Sequence, residues 1–499
     1  MLSKSVSGIS HSGTLPITMI CGPKSSGKST FGKLLTNSLL TAGISMKKPA
    51  AFDSTSKFSF VAYLEIDPGQ PEFSPPGQLS LVLLSKPSLG PPYSHPNAED
   101  DEHKVMRSHT IAAISPSADP AFYTKCVVDL LLHYSSLQSH TPCPLVINTP
   151  GWILGTGLEL LLDTIRESQP TQILYMSQDG PQDVVESLRE AAKSTPVFTL
   201  PSQPTEYTTR TAAHLRTMLY MSFFHLNATN LGHRRWISTS ITSMVPWEIK
   251  YTGQNAGILG IMYLGEQPTS VMVRDTIDGT LVAIVVLDDI AGIPGRKEYD
   301  KNLHKEGQQL RKSGYKDEEF TGTKSATLDD GDSGRSLIVR TPEGIPYFNT
   351  EIATALDPRH SHTTGLALIR GIDIKRKRLQ LITPVSWDIL RDAKASNKPI
   401  ILVSGKFDTP GWAYAEDMNL RASIHKTSTH QQPSNVPEAE MQDGGTHEKG
   451  GGQADNPKRI GVRSDYTPWI ERLHGDEGRG AGARVWRVRR DLGRNSVGK

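Results

Sequence analysis

Gly22-Pro23-Lys24-Ser25-Ser26-Gly27-Lys28-Ser29 matches the phosphate-binding pattern G-x-x-x-x-G-K-[ST]. Its surroundings decide how it is read. Ahead of it, Pro16-Ile17-Thr18-Met19-Ile20-Cys21 is a short apolar run with the length of a buried strand. Behind it, Thr30-Phe31-Gly32-Lys33-Leu34-Leu35 opens a helix with apolar residues at helical spacing. Strand, glycine-rich turn and helix aim backbone N–H groups and a helix N-terminus at one place, which suits a polyphosphate. Residues Gly22 to Thr30 are therefore expected to cradle a nucleoside triphosphate with Mg²⁺. Lys28 would reach the β/γ-phosphates and Ser29 would ligate the metal.

Outward from this loop, strands and helices alternate as far as about Leu226. Phe60 to Ile66, Leu145 to Asn148, Gln172 to Met176 and Val197 to Leu200 read as strands. Leu158 to Ile165 and Val184 to Ala192 read as helices between them, and Ala212 to Leu226 as a helix with a stripe of Leu215, Leu219, Phe223 and Leu226. Short, nearly continuous apolar strands separated by helices predict an α/β unit, a P-loop NTPase-type parallel sheet with helices on both faces. That unit is expected over residues 16–235, after a disordered start at 1–15. Beyond Arg235 the runs become β-rich: Ile258 to Leu264, Ser270 to Val273, Leu281 to Leu287, Leu366 to Ile372 and Leu379 to Ile382. A smaller, mainly β domain is expected over 236–423, with a charged, disordered insertion at about 296–336. A polar linker over 424–463 and a basic, aromatic tail over 464–499 follow.

Composition narrows the function classes. The 499 residues carry a formal net charge of +2, so no global field argues for a polyanion partner. Hydrophobic residues make up only 36%, which fits a chain with unfolded segments. Three cysteines, Cys21, Cys126 and Cys143, argue for a reducing compartment and against a disulfide framework. No apolar run has the length to cross a bilayer, and no membrane partner is expected. The sixteen histidines show no metal-ligand spacing; the closest pair, His360 and His362, reads as solvated.

Three further stretches carry chemistry. Leu64-Glu65-Ile66-Asp67-Pro68-Gly69-Gln70-Pro71-Glu72-Phe73-Ser74-Pro75-Pro76-Gly77 is a strand that breaks into a Gly/Pro-rich loop. Sites in parallel sheets form beyond the carboxyl ends of strands, so Asp67 is placed to face the γ-phosphate region. There it could hold Mg²⁺ or accept a proton from an attacking hydroxyl; the plainer alternative is a turn-capping Asp. Leu145 to Trp152 is a second strand ending in a loop with an aromatic tip. Trp152 could stack a base or pack on its own helix. Tyr207 to Arg216 enters a helix and offers Arg210 and Arg216 as a cationic clamp, or simply as solvated charges. Lys375-Arg376-Lys377-Arg378, in an expected hairpin turn, and the arginines of Trp486-Arg487-Val488-Arg489-Arg490 are local basic clusters.

Taken together, Gly22 to Thr30, Asp67-Pro68-Gly69-Gln70-Pro71-Glu72-Phe73 with Pro75-Pro76-Gly77, and Asn148-Thr149-Pro150-Gly151-Trp152 resemble the polynucleotide 5′-hydroxyl kinases of the fungal pre-rRNA-processing type. Ser115-Pro116-Ser117-Ala118-Asp119-Pro120 and the segment from Trp486 to Arg494 resemble further elements of that family. The resemblance implies transfer of the ATP γ-phosphate to the 5′-OH of an RNA end. It implies ATP at Lys28, Mg²⁺ at Ser29 and Asp67, and activation of the nucleophile by Asp67. Gln70 would contact the polynucleotide or a metal-bound water, Thr149 and Trp152 would meet the polynucleotide, and Arg210 and Arg216 would be the lid arginines. It also implies a nucleolar complex with an endonuclease that cuts the internal transcribed spacer; Trp469, Val485, Trp486 and Val488, interleaved with the tail's arginines, suggest that the tail docks on that partner, the alternative being a localisation signal. The family commonly has Asp two positions before the motif Asp, where this chain has Glu65, and a sizeable domain ahead of the loop, where 21 residues precede Gly22. The alternative is a catalytically weak, ATP-binding scaffold of an RNA-processing complex.

Overall fold

The computed structural model describes residues 15–41, 58–96, 103–203, 210–228, 234–253, 255–294 and 337–429. The insertion expected at 296–336, most of the expected linker and the tail at 464–499 lie outside those residues. The first sheet has seven strands: β1 (Ile17–Cys21), β2 (Val61–Glu65), β3 (Gln78–Leu84), β4 (His103–Thr110), β5 (Leu145–Asn148), β6 (Gln172–Met176) and β7 (Val197–Leu200). Their order is β4-β3-β2-β5-β1-β6-β7. The strands from β2 to β7 in that order pair in parallel. An antiparallel pair, β3 and β4, extends the expected parallel sheet beyond β2.

Both faces of this sheet are covered, because neighbouring residues on each strand point to opposite sides and both are apolar. Helix α1 (Lys28–Thr41) lays Leu35, Leu39 and Leu40 against Ile20, Tyr63 and Val146. On the other face α2 (Pro120–Gln138), α3 (Thr156–Ser168) and α4 (Gln182–Ala192) set Leu130, Leu161 and Leu188 against Met19, Leu64 and Ile147.

Helix α5 (Ala212–His225) departs from the expected stripe: every residue from Met218 to His225 is buried. It is wedged between the two cores, and Tyr220, Phe223 and Phe224 belong to that of the second domain. A short hairpin, β8 (Leu226–Ala228) and β9 (Arg234–Trp236), follows. The second sheet contains β10 (Trp247–Lys250), β11 (Gly260–Tyr263), β12 (Leu281–Leu287), β13 (Ile338–Arg340), β14 (Pro346–Phe348), β15 (Ser361–Asp373), β16 (Arg378–Ile382) and β17 (Ile400–Ser404). Its order is β10-β16-β15-β12-β17-β11-β14-β13. Ser270 to Val273, read as a strand, is instead a turn in which the N–H groups of Met272 and Val273 donate to the Thr269 carbonyl. It leads into a one-turn helix, α6 (Val273–Ile277). Helix α7 (Trp387–Ala395) precedes β17, and α8 (Gly411–Thr429) continues past the boundary expected at 423.

Strand β4 joins the two domains. Arg107 donates to Asp129 of α2 at 3.3 Å, to Asp288 after β12 at 2.7 Å and to the Pro358 carbonyl at 2.7 Å. His362 and Lys398 also hold Asp288, so His362 is part of this junction rather than solvated. The buried cation is matched on each nitrogen, which is the condition for burying it without large cost.

Candidate functional site

The loop between β1 and α1 has alternating backbone handedness, with Ser25 at φ 61° and Gly27 at φ 92°. Such a turn makes consecutive N–H groups converge into an anion-binding nest. Pro23 O accepts from Ser26 Oγ at 2.9 Å and from Lys28 Nζ at 2.8 Å, so the lysine folds back over its own loop. Gly151 closes one wall: a Cβ there would stand 2.7–2.9 Å from atoms of Lys24, so the loop after β5 fits against the phosphate loop only without a side chain. On the other side, Gln203 N–H donates to Ser26 O at 3.0 Å.

Carboxylates gather at the same end of the sheet. Glu65, the last residue of β2, is fully buried and pairs with Asn148 of β5 in register. Asn148 Nδ2 donates to Glu65 Oε1 and Oε2 at 2.9 and 3.1 Å and lies 3.2 Å from Ser29 Oγ. The Asp67 N–H donates to Glu65 Oε1 at 3.0 Å, and the Glu72 N–H to Oε2 at 3.2 Å. The Asp67 carboxylate is half-buried and accepts from the Gly69 N–H at 2.9 Å. The loop from Asp67 is closed at its base by Gly77 N–H donating to Pro68 O at 2.8 Å.

These groups feel one another. Burial pushes the Lys28 ammonium pKa down, and Asp67 is the strongest of the neighbours that pull it back. Burial raises the Asp67 carboxyl above its usual range, opposed by the Gly69 N–H and by Lys28. Glu65 is pushed well up by burial and then by Asp67, against the donors that surround it. Under the loop, burial pushes the Cys21 thiol up to about 12, so it stays neutral. An ammonium, a hydroxyl and two carboxylates thus face one small volume. Ser29, Asp67 and Glu65 provide only oxygen, and Asn148 Oδ1 is buried without a partner; this set fits a hard divalent cation.

The remaining expected site residues fall out differently. Gln70 is exposed at the loop tip. Thr149 is fully buried and its hydroxyl donates to Ile20 O at 2.9 Å, so it shapes the loop and does not face a substrate. Trp152 is half-buried against the first core, its ring carbons 2.6–2.7 Å from where a Gly157 Cβ would stand. The plainer alternative of the sequence reading, a Trp packed on its own helix, describes it here. Arg210 stands just before Thr211, which caps α5 with a reciprocal pair of bonds to His214; residues 204–209 lie outside the described set. Arg216 donates Nε to Asp408 at 2.5 Å with only 14% of its side chain exposed. It ties α5 to the second domain and is not a mobile clamp. In the β15–β16 turn, Arg378 pairs with Glu248 and Lys377 donates to Glu343 O, which leaves less of that cluster for phosphates.

Sequence reading assigned no role to Asn148, although it quoted the residue. The signal was present: a buried amide at the end of an apolar strand must find polar partners. Among the described residues no three His, Cys, Asp or Glu side chains gather as a metal site, here or elsewhere.

Residues 22–226 match the family described as the mRNA cleavage and polyadenylation factor CLP1 P-loop. The polynucleotide 5′-hydroxyl-kinase GRC3 of Gibberella zeae is 39% identical over 493 residues, 96% of this chain and 61% of that protein. The polynucleotide 5′-hydroxyl-kinase grc3 of Aspergillus fumigatus is 38% identical over 83% of this chain and 51% of its own length. The chain therefore spans less than two thirds of these curated relatives. A solved wild-type Clp1p–Pcf11p complex aligns with 14% identity and a TM-score of 0.48, over 82% of this chain and 79% of that one.

Proposed function

We propose that this chain, whose residues 22–226 match the Clp1 P-loop family, is an ATP-dependent polynucleotide 5′-hydroxyl kinase. The reaction is transfer of the ATP γ-phosphate to the 5′-OH end of RNA. The observation that carries the reading is the meeting of Lys28 and Ser29 with Asp67 and Glu65 at the carboxyl ends of β1, β2 and β5.

Each group has a task in that transfer. The N–H groups of residues 22–30 and the Lys28 ammonium take up phosphate charge. Asp67 accepts the hydrogen bond of the acceptor hydroxyl and takes its proton as the new O–P bond forms and the bond from the γ-phosphorus to the bridging oxygen breaks, releasing ADP. Burial brings the Asp67 pKa closer to neutrality, which suits a base more than an ordinary exposed carboxylate would. Ser29 and Asp67 would hold Mg²⁺, which when bound neutralises oxygens of the triphosphate, while Glu65, whose two oxygens each accept two donors, orders the chain around them. Asn148 keeps Glu65 and Ser29 at a fixed separation.

The same reading extends to the biology that the family resemblance implies. The RNA is pre-rRNA cut in its internal transcribed spacer, the partner is the endonuclease that leaves the 5′-OH, and the place is the nucleolus. The test is transfer of labelled γ-phosphate to a 5′-OH RNA oligonucleotide, with a DNA oligonucleotide and a 5′-phosphorylated RNA alongside. Label on the 5′-OH RNA that disappears in Lys28→Ala supports the proposal. Nucleotide binding with no label on any acceptor overturns it in favour of the scaffold.

A further inference from the structure

We propose that Lys33, Glu72 and His95 form a clamp that sets the position of the Asp67 loop against the helix carrying Lys28 and Ser29. This rests on the kinase reading above. Lys33 follows Ser29 by four residues and Asn37 follows by eight, so the three share one face of α1. Lys33 Nζ donates to Glu72 Oε1 at 2.8 Å and to Gly90 O at 2.8 Å. One turn on, Asn37 and Ser88 exchange two bonds: Asn37 Nδ2 to Ser88 O at 2.8 Å and Ser88 N–H to Asn37 Oδ1 at 2.9 Å. The segment from Ser88 to His95 is thereby stapled along α1. It returns His95 Nε2 to the same Glu72 Oε1, at 3.1 Å.

Three pieces of chain thus meet on one carboxylate: the phosphate-loop helix, the 88–95 segment and the loop that begins at Asp67. The Glu72 side chain is 3% exposed, and its own N–H reaches back to Glu65 Oε2. Next to it, Phe73 is packed edge-on to Tyr63 and tilted against His95 and His103, with ring centroids 5.2–5.5 Å apart. The apolar anchor at Phe73 keeps the loop folded. The polar anchor at Glu72 fixes where along α1 the loop sits, because a directed ion pair has a register and an apolar contact does not. The separation of Asp67 from Lys28 and Ser29 is read from that register. Glu72, Lys33 and His95 are therefore positioning residues, with no contact to the reacting atoms.

The experiment compares Glu72→Gln, Lys33→Met and the double variant in the full chain. It measures thermal midpoint, nucleotide affinity and RNA phosphorylation. Each single variant strands a buried charge or donor, so both lower the midpoint; the double variant removes both charges and recovers it. The clamp predicts kcat down by about ten- to a hundredfold in all three, the scale expected of a misplacement near 1 Å. KM for RNA and the affinity for ATP stay within a few-fold of wild type. Recovery of kcat along with stability in the double variant would reduce the pair to a structural ion pair and overturn the inference. Full kcat in Glu72→Gln does the same. If wild type itself transfers no phosphate, the kinase reading has failed instead, and the two failures are distinguishable.

Discussion

Replacing Glu65 with Gln tests how the centre of the site is built. In the native structure the two carboxylate oxygens receive only donors: the Asp67 N–H and Asn148 Nδ2 on Oε1, the Glu72 N–H and Asn148 Nδ2 on Oε2. An amide in the same place must turn an NH₂ toward either Asp67 N–H or Glu72 N–H. Asn148 can exchange its oxygen and nitrogen to accommodate one donor, but a backbone N–H cannot. At least one bond to a charged acceptor is lost, worth about 1.5–3 kcal/mol, and a buried donor is stranded at a further cost of about 1–3 kcal/mol. With partial relaxation the expected loss is roughly 2–5 kcal/mol of unfolding free energy. For a unit of this size that corresponds to a fall of roughly 4–20 °C in midpoint. Calorimetry or fluorescence-monitored melting of Glu65→Gln against wild type measures it, and a phosphorylation assay at a temperature where both are folded gives the catalytic part. If Glu65 were already a neutral acid in the resting site, the amide would be a near copy of it. A midpoint within 2 °C of wild type, on the same scale of a few degrees per kcal/mol, would refute the all-acceptor reading of this carboxylate.

Asp67→Asn should cut kcat by about 10²–10⁴-fold while ATP affinity changes only a few-fold, because the nucleophile side is struck; equal losses in both would contradict that division. Arg216→Ala should cost roughly 1–2 kcal/mol through the lost bonds to Asp408, measured by denaturant unfolding, with transfer falling less than tenfold. A hundredfold drop in kcat at unchanged stability would return Arg216 to a lid role. Burial would raise the pKa of Asp129, but His109, His133 and Arg107 outweigh it and hold the group well below the usual range; Arg107, His362 and Lys398 do the same for Asp288. Depressed carboxylate values stabilise the fold above the ordinary pKa of about 4 and lose that contribution as pH falls below it. Arg107→Met should therefore cost about 3–5 kcal/mol at pH 7 and flatten the decline in stability between about pH 4 and pH 2, followed by circular dichroism. A variant with the same acid profile as wild type would contradict the assignment.

What the sequence made legible follows from where the side chains had to go. β5 and β6 were read with the bounds the structure has, because central strands buried on both faces leave unbroken apolar runs; the bounds of β7, a half-exposed edge strand, came from the turn residues around it. β4 was not read, since His103-Lys104-Val105-Met106-Arg107-Ser108-His109-Thr110 carries only two large apolar residues. Its polar groups are spent inside the fold, Ser108 and His109 on the first domain and Arg107 on both, and a periodicity argument cannot see partners that arrive from 180 or more residues away. Helix α2 did carry a signal, Phe122, Tyr123, Cys126, Val127, Leu130 and Leu131, all buried and at helical spacing. Val271 and Met272, 69% and 55% exposed, looked like strand residues because hydrophobicity was taken for burial. At the site, the motif letters located Lys28, Ser29 and Asp67. They offered Thr149 to a substrate and Arg216 to a clamp, although both spend their polar atoms inside the fold, because a motif records residue type and not hydrogen-bond commitment.

The second domain belongs in the account of the site for a geometric reason. The Asp67 loop ends at Pro76 and Gly77, where a Gly77 Cβ would stand 2.6 Å from the Phe407 ring. Pro76 O accepts from Tyr220 Oη at 3.4 Å, and Tyr220 stacks on Trp412 with ring centroids 5.7 Å apart. Ala113, in the segment that Gly69 packs beside, forms a parallel bridge with Lys406. The exit of the Asp67 loop is thus held by Phe407 and by the helix whose Arg216 bonds Asp408, while its middle is held by the bond from Lys33 of α1 to Glu72. A loop fixed only at its start would let the Asp67 carboxylate drift by the ångström that the proposed transfer would not tolerate. Held at the end of β2, at Glu72 and at the domain junction, it has no free hinge left among the described residues. The β-rich half of the chain is in this sense part of the positioning apparatus, even though it places none of its own side chains among Lys28, Ser29, Glu65, Asp67 and Asn148.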